Sequence, residues 1–401
     1  MKILKNIFVY FIIVNLFFTA PLRFLFSFVL KLDFLNYLLN TIFILSIIFF
    51  KWKQIGTVIA KNKWVFSYFL IVIFYSLLFE NFKVVIYFFY ILLPFAFFSL
   101  YYKQVLDIFN NSKWLFIIVF ILCTGGIVYD YFFDFPWKSL SYTIGGNDID
   151  FAKDSTYNGA ERIAGFARSS FDAALGLLFL LIMIIYRSKN GLLNQVLFIT
   201  TFATIYITTV KSCLITLLLI YIIYMGKIIN QAVQKRILMS VYLFLSVFIV
   251  ILPLGILQDF QVPILNNESL RDRINNTWPF IVNEFHTIFD YILGTGIGSV
   301  GGGQQVFGIL KLYSPGDNFF IFIYPNLGII SLSVFYLGYI RVKKIYNPLF
   351  RYMLVILFSY GITSNMIESI LGQLIIFVSL FIPFNSNSDN DEMPSLIKGN
   401  Y

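Results

Sequence analysis

Apolar residues run along this chain in long blocks, and charged residues mark the ends of the blocks more often than they interrupt them. Val84 to Leu100, Trp114 to Tyr129 and Ile237 to Leu257 each approach the roughly 20 residues that a helix needs to span hydrocarbon. None shows the alternation of two expected of a membrane β-barrel strand. The blocks predict helical spans near residues 7–21, 34–50, 64–79, 84–100, 114–130, 171–186, 195–209, 212–226, 237–257 and 318–340. The stretch 350–384 is too long for one helix and is interrupted around Gly361 to Asn365, so it reads as two short helices joined by a tight turn. The expected fold is a single all-α polytopic membrane domain over residues 1–401, with about 12 transmembrane helices and 11 as the fallback.

Composition agrees with that pattern. Only 12% of the residues are charged and 59% are hydrophobic, against about 25% charged in a soluble domain, so polar side chains are too few to wrap a soluble globule. The net charge of +9 would suggest nucleic acid if it were clustered, but the lysines and arginines sit between apolar blocks and report orientation instead. With the N-terminus inside, the inner segments hold most of the basic residues, and the short outer loops between the first four spans hold only Arg23, Lys31 and Lys83. Both termini and the polar tail 385–401 are therefore expected in the cytoplasm. Met1 to Ala20, with Lys2, Lys5 and an apolar stretch, mimics a secretory signal, but with so many spans following it is read as an uncleaved first helix. Cys123 and Cys213 are the only cysteines and fall in or beside spans, which provides neither a disulfide framework nor a thiolate metal site.

Two connections are long, 131–170 and 258–317, and in this topology both face outward. They are rich in Gly, Asn, Asp and aromatic residues and are expected to fold over the outer mouth as irregular structure with short helices. The chemistry is sought there. Arg162 and Arg168 lie at the lip of a span, where an arginine either snorkels at the interface or offers a fixed fork to phosphate oxygens. Arg271 and Arg273 lie in the second connection, ahead of the glycine-dense stretch Gly294 to Gly303. That stretch lacks the Lys-Ser or Lys-Thr of a nucleotide P-loop and by itself says tight turns. Lys211 stands between two spans, as an ordinary turn residue or as a cation for an anionic headgroup. Asp317 precedes a span, as an N-cap or as a general base. Glu368 is the other carboxylate in the apolar zone. His286, the only histidine, is read as a packed or surface residue.

The layout resembles the superfamily of O-antigen ligases and repeat-unit polymerases, the Wzy-type polymerases among them. Three stretches carry the resemblance. Arg162-Ile163-Ala164-Gly165-Phe166 looks like the family's Arg-x-x-Gly-Phe start of a span, and Lys211-Ser212 falls where the family has a basic turn with Ser or Thr. The third combines Arg273, Trp278, Leu293 to Gly298, Asp317-Asn318-Phe319-Phe320 and Asn326-Leu327-Gly328-Ile329-Ile330. Together these cover about residues 160–383. Ligases of the superfamily carry a catalytic histidine where this chain has Asp317, which favours polymerase over ligase. The Arg-x10-Gly spacing of some polymerases is absent.

The resemblance implies a C-type glycosyltransferase-like fold in a bacterial plasma membrane, without a cofactor or a catalytic metal. It implies transfer of a growing O-antigen or capsule glycan from undecaprenyl pyrophosphate to the next lipid-linked repeat unit. A chain-length regulator and a flippase are the implied partners. Arg162, Arg168, Lys211, Arg271 and Arg273 would bind pyrophosphate and glycan, with Asp317 the first candidate base and Glu368 the second. Phe135, Trp137, Tyr142 and Tyr157 could stack on sugars, although interfacial anchoring is the commoner role. A flippase for lipid-linked oligosaccharide is the rival from another class, but the spans carry almost no charge and no internal repeat is evident.

Overall fold

The computed structural model describes residues 2–61, 63–144, 147–153, 156–157, 160–188, 190–254, 268–307, 316–344 and 348–382. The tail 385–401 and parts of the second connection, 255–267 and 308–315, lie outside them. Helices α1 (Lys2–Phe17) and α2 (Thr19–Phe24) open the chain. The sequence predicts one span near 7–21 here, but α1 and the segment starting at Thr19 are bent by 99°. Phe18 leaves the helical region at φ −118° and ψ 39°. Pro21, having no N–H, cannot donate to the Phe17 carbonyl that would continue the helix.

After a π-helical turn at Leu25–Val29 follow α3 (Leu38–Lys61), α4 (Lys63–Phe79), α5 (Phe82–Ile91), α6 (Leu93–Leu100), the amphipathic α7 (Tyr102–Asn111) and α8 (Lys113–Phe132). The first long connection leads to α9 (Ser170–Ile185), α10 (Gly191–Ile207), α11 (Lys211–Ile229) and α12 (Gln231–Ile251). Four short helices follow in the second, α13 (Glu268–Asp272), α14 (Trp278–Asn283), α15 (Ile288–Leu293) and α16 (Gly302–Phe307). The chain continues through α17 (Phe319–Leu327), α18 (Ser333–Lys344), α19 (Pro348–Tyr360) and α20 (Ile370–Ile376).

Among the described residues four helical segments are long and apolar enough to cross a bilayer: Phe82–Leu100, Lys113–Phe132, Ala232–Leu254 and Phe319–Lys343, or five if the bent N-terminal pair is one span. The other predicted spans coincide with apolar helices of 10–17 residues. Several of these need not match the bilayer thickness because protein surrounds them. In α9 every side chain from Ala173 to Ile185 is buried, as expected of a helix that is apolar all round. It packs against α1, α8, α10, α11, α19 and α20. Residues Tyr352 to Tyr360 of α19 and Leu371 to Ile376 of α20 are also buried. The exposed apolar side chains, among them Ile199 and Phe202 on α10 and Phe244 and Val247 on α12, lie on the surrounding helices.

A buried glutamine repairs one helix break. Pro94 interrupts the segment at Leu92, and Gln373 of α20 takes the place of the missing backbone bond. Its Oε1 accepts from the Phe95 N–H (2.8 Å) while its Nε2 donates to the Ile91 carbonyl (2.7 Å). Each backbone group orphaned in an apolar core costs about 1–3 kcal/mol. Gln373→Leu is therefore expected to destabilise the protein by about 2–6 kcal/mol, seen as a lower thermal midpoint in detergent; an unchanged midpoint would refute the repair.

One end of the bundle gathers the long connections. Tyr360 donates to the Phe171 carbonyl (3.3 Å), the Phe319 N–H to the Gly361 carbonyl (2.7 Å), and Ser369 to Asp172 (3.3 Å). These bonds place the starts of α9, α17 and α20 beside the end of α19. The first connection also forms two antiparallel hairpins that the sequence reading did not anticipate, β1 (Ser141–Ile144) with β2 (Asn147–Asp150) and β3 (Thr156–Tyr157) with β4 (Ala160–Glu161).

Candidate functional site

The Arg162 to Phe166 loop is strapped to the end of α8 by a buried aspartate. Asp130 accepts the N–H groups of Ala164 (3.1 Å) and Gly165 (2.9 Å) and pairs with Lys138 (3.0 Å). Lys138 also holds Asp134 (3.1 Å) and Glu161 (2.5 Å). Burial alone would lower the Lys138 pKa, but these carboxylates outweigh it and hold it above the ordinary lysine value. Gly165 sits at φ +61°, where a Cβ would come within 3.0 Å of the Ile127 backbone nitrogen. A side chain is excluded there on both counts.

Phe166 then packs beside Phe18, Phe135 and Trp137. Stacking on sugars and interfacial anchoring are the two roles that sequence leaves open to the loop aromatics, and the described rings pack on one another instead. Phe135 and Trp137 stack on each other at 4.3 Å, and Tyr142 stacks on Phe151 at 5.2 Å. Trp137 and Phe151 are buried, so these rings form the connection's own core. The side chain of Tyr157 lies outside the described ones.

Arg162 is held at the head of α9 with its guanidinium 5.0 Å from the Phe171 ring centre. Ser169 caps the helix by accepting the Asp172 N–H (3.2 Å), and its hydroxyl donates to the Asp172 carboxylate (2.7 Å). The Arg168 carbonyl accepts the Lys153 N–H (2.7 Å). That bond brings a lysine not singled out in the sequence to the same edge.

Asp317 is not the N-cap of α17, and the residue that is explains why its carboxylate is free for other work. Buried Asn318 caps the helix, its Oδ1 accepting from Phe320 (2.8 Å) and Ile321 (3.1 Å) and its Nδ2 donating to the carbonyls of Ile249 (3.2 Å) and Ile362 (3.0 Å). Asp317 instead pairs with Arg273 at 3.2 Å. Arg273 reaches on to the Thr363 carbonyl (3.0 Å). Asn318→Ala is expected to cost about 1–3 kcal/mol through the lost cap and the carbonyls left without a donor. A thermal midpoint equal to that of the unchanged chain would count against the cap.

Glu368, in the break between α19 and α20, accepts the Gly302 N–H (2.6 Å). The preceding Gly301 has φ +112°, and a Cβ on it would lie 2.6 Å from the Glu368 carboxylate. The glycine-dense stretch is thus a wedge that positions Glu368. Its amides at Ile297 and Gly298 are committed to Ser76 (2.6 Å) and Asn326 (2.6 Å).

Burial pushes the Asp317 carboxyl above its ordinary range, against the pull of Arg273 and Lys153. Burial likewise raises Glu368, opposed by the Gly302 hydrogen bond and Lys153 and reinforced by the charge of Asp317. Lys153 of the first connection therefore acts on both carboxylates of the second. Tyr87 of α5 lies in the fields of both Glu368 and Arg168.

Of the residues expected from sequence, Asp317 pairs with Arg273 and its charge acts on Glu368; Arg168 shares with Glu368 an effect on Tyr87, and Arg162 stands at the head of α9 against Phe171. Lys211 opens α11 with its side chain exposed and is not among the main charges acting on either carboxylate. Arg271 is exposed in the last turn of α13. His286 is exposed ahead of α15, its N–H held by Asp290 (3.0 Å).

No protein-family model, curated protein or solved structure matches the chain. What the site can do is therefore argued from its own groups. Two carboxylates with raised pKa values, Asp317 half-buried and Glu368 open to solvent, can orient or deprotonate a hydroxyl. The surrounding cations can hold the negative charge of a leaving group.

Sequence reasoning passed over Asp130 and Lys153. The acid closing an apolar block was the available sign for Asp130. Lys153 carried none, since only the fold sets it against Asp317.

Proposed function

We propose that the chain polymerises lipid-linked oligosaccharide repeat units, transferring the growing glycan from undecaprenyl pyrophosphate to the next lipid-linked unit at the outer face of a bacterial plasma membrane. The observation that carries this reading is the Asp317–Arg273 pair at 3.2 Å, set with Glu368, Lys153 and Arg168 at the end of the bundle that bears both long connections. In the reaction, the acceptor hydroxyl attacks the anomeric carbon and gives its proton to Asp317. A new glycosidic C–O bond forms, the bond from that carbon to the pyrophosphate oxygen breaks, and undecaprenyl pyrophosphate leaves with the electron pair. Arg273, Arg168 and Arg162 offset its developing charge.

In this reading the apolar helices, short ones included, make about twelve crossings in a C-type glycosyltransferase-like arrangement. Both termini lie in the cytoplasm, and a flippase and a chain-length regulator act with the enzyme.

The test is the glycan banding pattern of cells lacking the gene, on a gel that resolves chain length. Single repeat units on their final carrier with no ladder above them are expected, because export and ligation still operate. Polymer accumulating on lipid carrier would make the protein a ligase. Lipid-linked single units trapped on the cytoplasmic side would make it a flippase and remove the basis for the arginine roles.

A further inference from the structure

The bend between α1 and α2 has a consequence for charge placement. It lays the segment after Thr19 under the first long connection, where the Ala20 N–H donates to the Phe166 carbonyl (3.1 Å). Arg23 lies one turn beyond Ala20 and Arg168 two residues beyond Phe166, so this bond brings the two guanidinium groups along one seam. Arg168 is the leading charge acting on Arg23. Lys153 is tied to the same edge through its bond to the Arg168 carbonyl (2.7 Å).

Like charges so placed call for counter-charge; Lys153 feels Asp317 and Glu368, but for the two arginines the nearby protein supplies little. Among the described residues no carboxylate lies within ion-pair distance of Arg23, Lys153 or Arg168. Asp172 acts on Arg23 from further off, but its oxygens already accept from the hydroxyls of Ser169 and Ser369. Arg23 Nη1 and Arg168 Nε are shielded from solvent and have no hydrogen-bond partner. Buried guanidinium donors are normally paired, and a planar fork beside a second fork suits tetrahedral phosphoryl oxygens better than a lone carboxylate. Beyond Arg23 the surface is apolar: Leu25, Phe28, Val29 and Leu30 are exposed on the π-helical turn and just past it. A ligand with a phosphoryl head and an isoprenoid or acyl tail could place the head on the arginines and the tail along that turn.

We infer that Arg23, Arg168 and Lys153 form a phosphoryl-binding subsite reached along the bent N-terminal segment and joined through Lys153 to the Arg273–Asp317 pair. As the place of a lipid-linked pyrophosphate it rests on the proposed function; as a phosphoryl site it does not. Arg23 lies outside the stretch of chain that carries the family resemblance, so motif reading alone does not reach it.

The experiment is calorimetric titration of inorganic pyrophosphate into the full chain in nanodiscs of phosphatidylcholine, repeated in nanodiscs containing phosphatidylglycerol. Charge-assisted hydrogen bonds of this kind change affinity by about 10- to 100-fold each. Arg23→Gln and Arg168→Gln should each weaken pyrophosphate binding by about that factor, while Lys235→Gln, exposed on α12, leaves it within about twofold. Thermal midpoints of the variants in the absence of pyrophosphate check that they are folded. If phosphatidylglycerol suppresses pyrophosphate binding to the unchanged chain, a bulk lipid headgroup competes for the subsite. If it does not, the site selects the more highly charged pyrophosphate. Equal binding by the unchanged chain and both folded variants would overturn the subsite. Binding lost in both variants, together with an intact glycan ladder in cells lacking the gene, would keep the subsite and overturn the polymerase reading instead.

Discussion

Arg273→Ala is expected to abolish polymer formation while leaving the amount of protein in the membrane unchanged, and Arg162→Ala is expected to do the same. Arg273 bridges Asp317 (3.2 Å) and the Thr363 carbonyl (3.0 Å), so it joins the candidate base to the break between α19 and α20. If it also faces the leaving pyrophosphate, removing it withdraws a fixed cation from a place where charge develops during the reaction. Losses of about 100-fold or more accompany removal of such a group. Arg273→Lys keeps the charge but not the fork and should retain only part of the activity. Arg162 acts from the head of α9, where the Phe171 ring at 5.0 Å fixes its direction.

The measurement is the glycan ladder of a deletion strain complemented with each variant, alongside quantification of the protein in membranes. Arg273→Ala also leaves Asp317 half-buried without its partner, so a structural cause must be separated from a chemical one. The double variant Arg273→Ala, Asp317→Asn removes the unpaired charge. If it regains thermal stability but makes no ladder, the loss is chemical. Long chains from both single variants would show that these arginines do not hold the leaving group.

The helical skeleton could be read from the sequence because long apolar blocks have few alternatives. Each apolar block from α3 to α20 holds a helix, although α3 runs on to Lys61, past the expected end at 50, and α12 begins at Gln231, ahead of the expected start at 237. The misjudged features depend on tertiary contacts. The bend at Phe18 was announced only by Pro21, which is tolerated near the start of a helix and breaks one elsewhere. The aromatic residues of the first connection turned inward because Gly165 lets the loop approach α8 and Gly126 leaves room for the Phe166 ring to seed a small core. No property of Phe135 or Trp137 taken singly could show this.

At the site, the uncertainty over Asp317 was whether it capped a helix, and the neighbouring side chain resolved it. Asparagine and aspartate are both good caps, and the sequence gives no means of choosing between adjacent candidates. Asn318 takes the role because its amide can also donate to Ile249 and Ile362, which a carboxylate cannot do. The cationic side was half legible. Arg162, Arg168 and Arg273 could be picked out by position, whereas Lys153 and Arg23 gain meaning only when the bent N-terminal segment and the first connection are packed together.

The two carboxylates are expected to separate by their effects on turnover. Asp317→Asn should lower kcat by about 100-fold or more, the range for removing a positioned base. Because burial raises the Asp317 pKa even against Arg273, the Asn variant is expected to melt no lower than the unchanged chain at pH 8. Glu368→Gln keeps an oxygen for the Gly302 N–H (2.6 Å) but carries no charge. The folded-state pKa of Glu368 lies above its ordinary value, chiefly through burial. Such a carboxyl favours the folded state most fully below the unfolded pKa, and that contribution is lost as pH rises through the folded pKa. At pH 8 the Gln variant is therefore expected to melt no lower than the unchanged chain, and higher if desolvation of the carboxylate dominates.

Its effect on turnover should be smaller and should appear in the pH profile. The charge of Glu368 and that of Asp317 disfavour each other, and such coupling is mutual. Neutralising Glu368 should therefore lower the Asp317 pKa and move the acid limb of kcat/KM to lower pH. Without that substitution the limb should lie above the ordinary aspartate range, because burial raises Asp317. Turnover of lipid-linked repeat units extracted from the deletion strain, measured across pH with purified variants, gives both readings. Full turnover in Asp317→Asn with none in Glu368→Gln would exchange the two roles. An unmoved acid limb in Glu368→Gln would mean that the carboxylates do not share the proton chemistry.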